Sequence, residues 1–183
     1  MKKKALITFL LMCFIGMANA QDAEPEFVGE AVIVNGDKTI PLDKEYSQVK
    51  TKAGASLYIV GIGSVKSKIN IKGGSASARA NKDDDFYLIV KAVDNSSDPM
   101  SIINIFEFEA SKKVRKAELS STNTFGGVNN DKLAYIEYTA KKYGETSYLI
   151  KLKKPYAGEF GLMVRNPNTK DEKQVVVACF GID

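Results

Sequence analysis

From Phe27 to Phe180, short apolar runs alternate with clusters of Gly, Asn, Asp and Ser. The clearest pattern lies at Val65–Lys72. There Val65, Ser67, Ile69 and Ile71 fall on one side of a period of two, and Lys66, Lys68, Asn70 and Lys72 on the other. That alternation predicts a strand with one buried and one wet face. Val28–Val34 reads as a strand, Asn35-Gly36 is a hairpin signal, and Lys38–Leu42 returns. Leu57–Ile62, Phe86–Val93 and Val175–Phe180 are apolar at odd and even positions alike, which predicts central strands buried on both faces. Ile102–Glu109, Tyr148–Leu152 and Phe160–Val164 complete the apolar strands.

The charged segment Val114–Leu119 reads as an edge strand, where lysines discourage edge-to-edge pairing. Gly73-Gly74-Ser75 reads as a turn and Asp94–Pro99 as a loop. Ser120–Asp131 is the longest irregular stretch. Leu133, Ile136, Ala140 and Tyr143 fit a helical face, with Asp131 as a cap and Gly144 as a stop. The same stretch also alternates, Ala134, Ile136 and Tyr138 against Tyr135, Glu137 and Thr139. The strand reading is preferred, because β-branched and aromatic residues dominate and the neighbours are strands. About ten short strands at close spacing predict an all-β fold, an antiparallel β-sandwich over residues 27–183.

The start of the chain is different. Lys2, Lys3 and Lys4 precede an apolar run from Ala5 to Ile15, and Ala18-Asn19-Ala20 gives a small-x-small cleavage pattern. Residues 1–20 therefore read as a secretory signal peptide, and 21–26 as a flexible polar leader. Processing before Gln21 removes three lysines, so 26 basic residues against 22 acidic ones become a net charge near +1. The basic character of the whole sequence is thus no nucleic-acid footprint, and no nucleic-acid partner is expected. No apolar stretch after Ala20 is long enough to span a bilayer as a helix.

The sequence has no His and no Trp. Ser-His-Asp and Cys-His catalysis and His-ligated metals are therefore excluded. Cys13 falls in the signal peptide, where Leu11-Met12 does not form a lipobox, and Cys179 then stands alone. A lone thiol in an oxidising compartment must be protected, so Cys179 is expected to be buried and inert.

The remaining candidates are modest. Glu107 and Glu109 share one face of a strand, about 7 Å apart by strand rise, a spacing open to carboxylate-pair hydrolysis. The reading preferred is a solvent face with Phe106 and Phe108 in the core. Ser47-Gln-Val-Lys50 matches S-x-x-K, without the partner motifs that chemistry needs. Gly61-Ile62-Gly63 begins a G-x-G-x-x-G pattern, but Lys66 replaces the third glycine, so a bulge or close packing is expected. Asp83-Asp84-Asp85, and Asp94 with Ser96 and Asp98, offer oxygen ligands of the kind calcium takes. They lack the glycine and closing Glu of an EF-hand loop, and turn chemistry accounts for both, so no metal or cofactor is expected. Lys112, Lys113, Arg115 and Lys116 form a basic run read as a soluble edge. Tyr135, Tyr143 and Tyr156 are candidate sugar platforms, although packing is the commoner use of Tyr.

The C-terminal third carries three segments in order. They are Tyr148–Leu152, then Pro155-Tyr-Ala-Gly-Glu-Phe-Gly161, then Val175–Asp183, closing on Phe-Gly-Ile-Asp. This arrangement resembles a family of exported β-rich proteins of Bacteroides-type bacteria, with a GEY/GEF turn-strand followed by a closing FGID or FGVD. Gly73–Arg79 and Asp98-Pro99 fit the same pattern loosely. The resemblance implies an exported β-rich protein and carries over no activity and no site residues. The expected role is a non-catalytic, monomeric module in the periplasm, at the cell surface or outside the cell. It would bind an envelope protein or glycan through a sheet face or loops. The alternative is an envelope hydrolase working through carboxylates or a Lys/Ser pair.

Overall fold

The computed structural model describes residues 23–48, 50–53, 64–123, 128–129, 133–167 and 174–183. They form an all-β sandwich of three sheets. In chain order the strands are β1 (Ala31–Asn35), β2 (Lys38–Pro41), β3 (Asp43–Gln48), β4 (Lys50–Ala53), β5 (Ser64–Lys72), β6 (Arg79–Ala80) and β7 (Tyr87–Lys91). A one-turn helix α1 (Pro99–Ile102) precedes β8 (Ile103–Glu107), β9 (Glu109–Ser111), β10 (Val114–Asn123) and β11 (Val128–Asn129). β12 (Ala134–Tyr135), β13 (Tyr138–Tyr143), β14 (Ser147–Leu152), β15 (Gly158–Val164) and β16 (Gln174–Ile182) follow. The expected count of about ten is exceeded because Ile102–Glu109 is divided between two sheets and because short strands such as β6, β11 and β12 add to the set.

The first sheet runs β13-β14-β7-β1-β2, the second β12-β8-β15-β16-β3, and the third β11-β10-β5-β4 with β9 added on β10. Pairing is antiparallel, apart from a short parallel contact between β6 and β16. The second sheet is the middle layer. Along β16, Ala178, Phe180 and Ile182 enter a core shared with Leu88, Val90 and Ile150 of the first sheet. The alternate residues Val177 and Cys179 enter a second core with Ile69, Ile71 and Ala117 of the third sheet. This is why Val175–Phe180 is apolar at every position. The β7 run is likewise central, between β14 and β1, with Leu88, Ile89 and Val90 fully buried.

Two corners stitch the second sheet to the third. β3 in the second sheet ends at Gln48 and β4 in the third begins at Lys50, and Ser47 Oγ donates to Asn70 O (3.3 Å) while accepting from Asn70 N (3.2 Å). β8 passes to β9 at Phe108, whose N donates to Glu159 O at 2.8 Å. At the first hairpin Asn35 pairs with Lys38, so Gly36 and Asp37 form the turn. Gly36 alone has positive φ (+57°), the type II′ pattern in which glycine takes the first central position.

Four expectations need correction. Val114–Leu119 is not an edge: β10 lies between β5 and β9, and its Arg115 is buried. Part of the Ser120–Asp131 stretch is strand, since β10 continues to Asn123 and β11 follows. The expected loop holds over Asp94–Asp98, but Pro99–Ile102 is a helical turn rather than loop end and strand start; Asp98 caps it, its Oδ1 accepting from Met100 N (2.9 Å), with Pro99 in the first turn. The leader is docked from residue 23: Pro25 is buried, and Glu24 accepts from Ser147 Oγ at 2.7 Å. The helical alternative at 133–143 gives way to β12 and β13, whose Tyr138 is buried. Its hydroxyl donates to Pro99 O (3.0 Å) and Ile103 O (2.9 Å), and burial pushes it up to about 12. Leu57–Ile62 and Gly61-Ile62-Gly63 lie outside the described residues.

Candidate functional site

The charged residues of the interior are occupied by the scaffold. Glu159 on β15 is 8 % exposed, and its Oε2 accepts from Ala76 N at 2.7 Å. Its Oε1 accepts from Arg79 Nη1 at 2.7 Å, and Arg79 Nε donates to Asp183 at 2.9 Å. That contact holds the Asp183 carboxyl below its ordinary range. Arg115 is 2 % exposed, stands 3.8 Å from Glu159 Oε2, and lies over the Phe108 ring. Its Nε and Nη2 donate to Gly73 O (3.4 Å) and Lys72 O (3.5 Å), but its Nη1 has no hydrogen-bond partner. The Gly158-Glu159-Phe160 turn-strand, the closing Phe180–Asp183 and Arg79 thus meet in one ionic knot. Gly181 lacks a side chain for a local reason: a Cβ there would collide with the Arg79 guanidinium.

Cys179 is buried, and burial pushes its thiol up to about 12. A thiol so placed forms no thiolate near neutral pH. Native protein is therefore expected to resist thiol reagents until denatured. Cys179→Ser should cost about 1–3 kcal/mol, because it buries a hydroxyl, and Cys179→Ala should cost less. Rapid labelling of native protein, or a covalent dimer, contradicts this placement.

The candidate chemistry of the sequence is dispersed. Glu107 ends β8 in the second sheet and Glu109 begins β9 in the third, so the two carboxylates belong to different sheets, with Phe106 and Phe108 buried between the layers. Glu107 Oε2 accepts from Tyr156 OH at 2.8 Å. Burial and that carboxylate push Tyr156 up to about 12. Ser47 and Lys50 are strand residues of two sheets rather than neighbours on a helix. Asp83 pairs with Lys82 and Asp85 with Lys151, while Asp84 accepts from Asn35. Asp94 closes a turn by accepting from Ser96 N (2.8 Å), and Asp98 caps α1. Tyr143 packs beneath the outer face of the first sheet, and Tyr135 is exposed on the short strand β12.

What remains is a cleft of about 710 Å³ where β15 ends and β16 begins. Val28, Met163, Val164, Val175 and Val176 supply its apolar wall, and Ser101, Asn104 and Asn166 its neutral polar groups. Arg165 is its only ionisable lining residue among the described residues, and Arg165 and Pro167 also border an adjoining cleft of about 240 Å³. Arg165 N donates to Ile102 O at 2.7 Å, which fixes the backbone. Its exposed side chain has no hydrogen bond or ion pair among the described residues. The sequence reading passed over Arg165. It lies beside Asn166-Pro167, where one cation in a polar loop carries no signal. An apolar wall, a few amides and one guanidinium suit a ligand with an acidic group; they include no nucleophile paired with a base. Comparison with protein-family models, curated proteins and solved structures finds no match.

Proposed function

We propose that the protein is an exported, non-catalytic, monomeric β-sandwich module of the cell envelope or exterior. In this reading it binds a partner protein or glycan that presents an acidic group to the cleft at Arg165. The observation that carries the reading is the distribution of charge. Glu159, Arg115, Arg79 and Asp183 are taken up by the scaffold, whereas Arg165 is unengaged among the described residues at the mouth of the cleft. Export rests on the Lys-apolar-Ala-x-Ala start and on the resemblance of the C-terminal segments. Mass spectrometry of the protein recovered from its cells should then find Gln21 at the N-terminus. Retention of Met1 contradicts export.

The competing reading, a hydrolase, draws on the contact between Tyr156 and Glu107, an exposed phenol on a carboxylate. Incubation with oligosaccharides, peptidoglycan fragments and peptides separates the two. The binding reading expects every substrate to survive. Hydrolysis that disappears in Glu107→Gln overturns it in favour of the enzyme.

A further inference from the structure

We propose that the cleft at Arg165 takes an extended polypeptide segment as an added β-strand, with an acidic side chain of that segment on Arg165. This rests on the reading of the cleft as a binding site and names its partner class, polypeptide rather than glycan. The cleft is a split in the second sheet. β15 and β16 pair from Gly158 opposite Ile182 to Leu162 opposite Ala178 and no further. Beyond that point Met163 and Val164 stay with β8, opposite Asn104 and Ile103. Val177, Val176 and Val175 stay with β3, opposite Glu45, Tyr46 and Ser47. The cleft is lined from both faces of the sheet, for Val164 packs on the first core while Met163 and Val175 pack on the second. An opening lined from both faces runs through a sheet rather than over it.

Antiparallel alternation sets what the two walls present. Arg165 N donates to Ile102 O, so residue 165 turns its main chain to β8 and Val164 turns its N–H and C=O to the split. Gly181 N donates to Ala78 O, away from β15, so the even-numbered residues of β16 face β15, Val176 among them. The register would join Val164 to Val176 next, and it does not. Unpaired strand main chain is a template for another strand, whose main-chain bonds supply affinity. A glycan has no regular amide repeat to meet such walls. Large apolar side chains also stand exposed beside the cleft: Phe27 next to Val28, Met100 next to Ser101, and Tyr46 opposite Val176. Aromatic residues, Met and Arg are the side chains enriched in protein interfaces. Arg165, the only ionisable lining residue among the described residues, then selects a segment with an acid at this point and opposes one with a base.

The experiment is NMR on the isotope-labelled protein, as recovered from its cells, with the blocked peptide acetyl-Thr-Val-Asp-Val-Thr-amide as probe. In the free protein the amides of Val164 and Val176 should exchange with solvent faster than those of Leu162 and Ala178. Slow exchange at both shows a split already filled by the chain itself, and overturns the proposal. The peptide should slow exchange at Val164 and Val176 and shift the Arg165 Nε–H resonance. An analogue N-methylated at its Asp and at the preceding Val loses one donor toward each wall, and should bind about 25-fold more weakly. The analogue with Asn for Asp should bind about tenfold more weakly. If glucuronate or N-acetylaspartate shifts Arg165 but the peptide leaves Val164 and Val176 unprotected, or binds equally when N-methylated, the added strand is overturned and the Arg165 reading stands. If no acid and no peptide shifts Arg165, that reading fails and the proposal with it.

Discussion

Glu159→Ala is expected to lower the free energy of unfolding by about 3–5 kcal/mol, the range for removing one partner of a buried ion pair. Three losses act together. Arg115 keeps its charge at 2 % exposure with its nearest carboxylate gone, Ala76 N loses its acceptor, and Arg79 loses half of its bridge between β15 and the C-terminus. The partly exposed Arg79–Asp183 contact contributes little by comparison, because solvent screens it. Arg115→Met should cost less than Glu159→Ala. Glu159 then retains Arg79 and Ala76 N, and an apolar chain fills space already lined by Phe108. Urea unfolding of both variants reads the difference. A loss below about 1 kcal/mol for Glu159→Ala, or a larger loss for Arg115→Met, contradicts the knot as described.

Acid should undo a second anchor. Glu24 is held down to about 2, chiefly by the hydrogen bond from Ser147 Oγ, and further by Thr146 N and Lys91. A carboxyl lower in the folded than in the unfolded chain stabilises the fold fully above its unfolded value. That contribution fades as pH falls from about 4.5 toward about 2. About 2–3 kcal/mol should be lost across that window. Glu24→Gln should already lack most of this stability at neutral pH and show a flatter acid limb. Equal slopes in the two proteins would show that the segment before Phe27 is not tied to β14 as found.

The strands visible in the sequence are those whose neighbours match their pattern. Ile69 and Ile71 alternate with polar residues because one face of β5 meets the second core. The β16 run is apolar throughout because sheets cover both faces, and the β7 run because Leu88 and Val90 enter the first core while Ile89 is covered on the outer face by Val32, Val34, Ala23 and Tyr143. The third layer was hidden by a single residue. In Val114–Leu119 the inward positions are Arg115, Ala117 and Leu119, so the stripe begins with a charge and reads as an exposed edge. Arg115 can be inward only because Glu159 meets it from the second sheet. Local pattern cannot supply that contact, nor the Arg79 bridges that span 80 and 104 residues. The sheet changes between β3 and β4 and at Phe108 were hidden likewise, since the strands on either side carry the same period of two. Asp98-Pro99 carries a local cap signal, but among so many turn residues it reads as loop. Arg165 carries none, because its significance comes from the cleft that β8, β15 and β16 build around it.

The proposed function stands on Arg165 as a binding group, and an NMR titration tests that most directly. The probes are glucuronate and N-acetylaspartate, with glucose and N-acetylasparagine as their uncharged counterparts. The charged probes should shift the Arg165 Nε–H resonance together with the amides of Asn104, Asn166 and Val175, saturably. The uncharged ones should not, and Arg165→Gln should abolish the response while leaving the melting temperature unchanged. No shift at Arg165 with either acid, or an undiminished response in Arg165→Gln, would contradict the account.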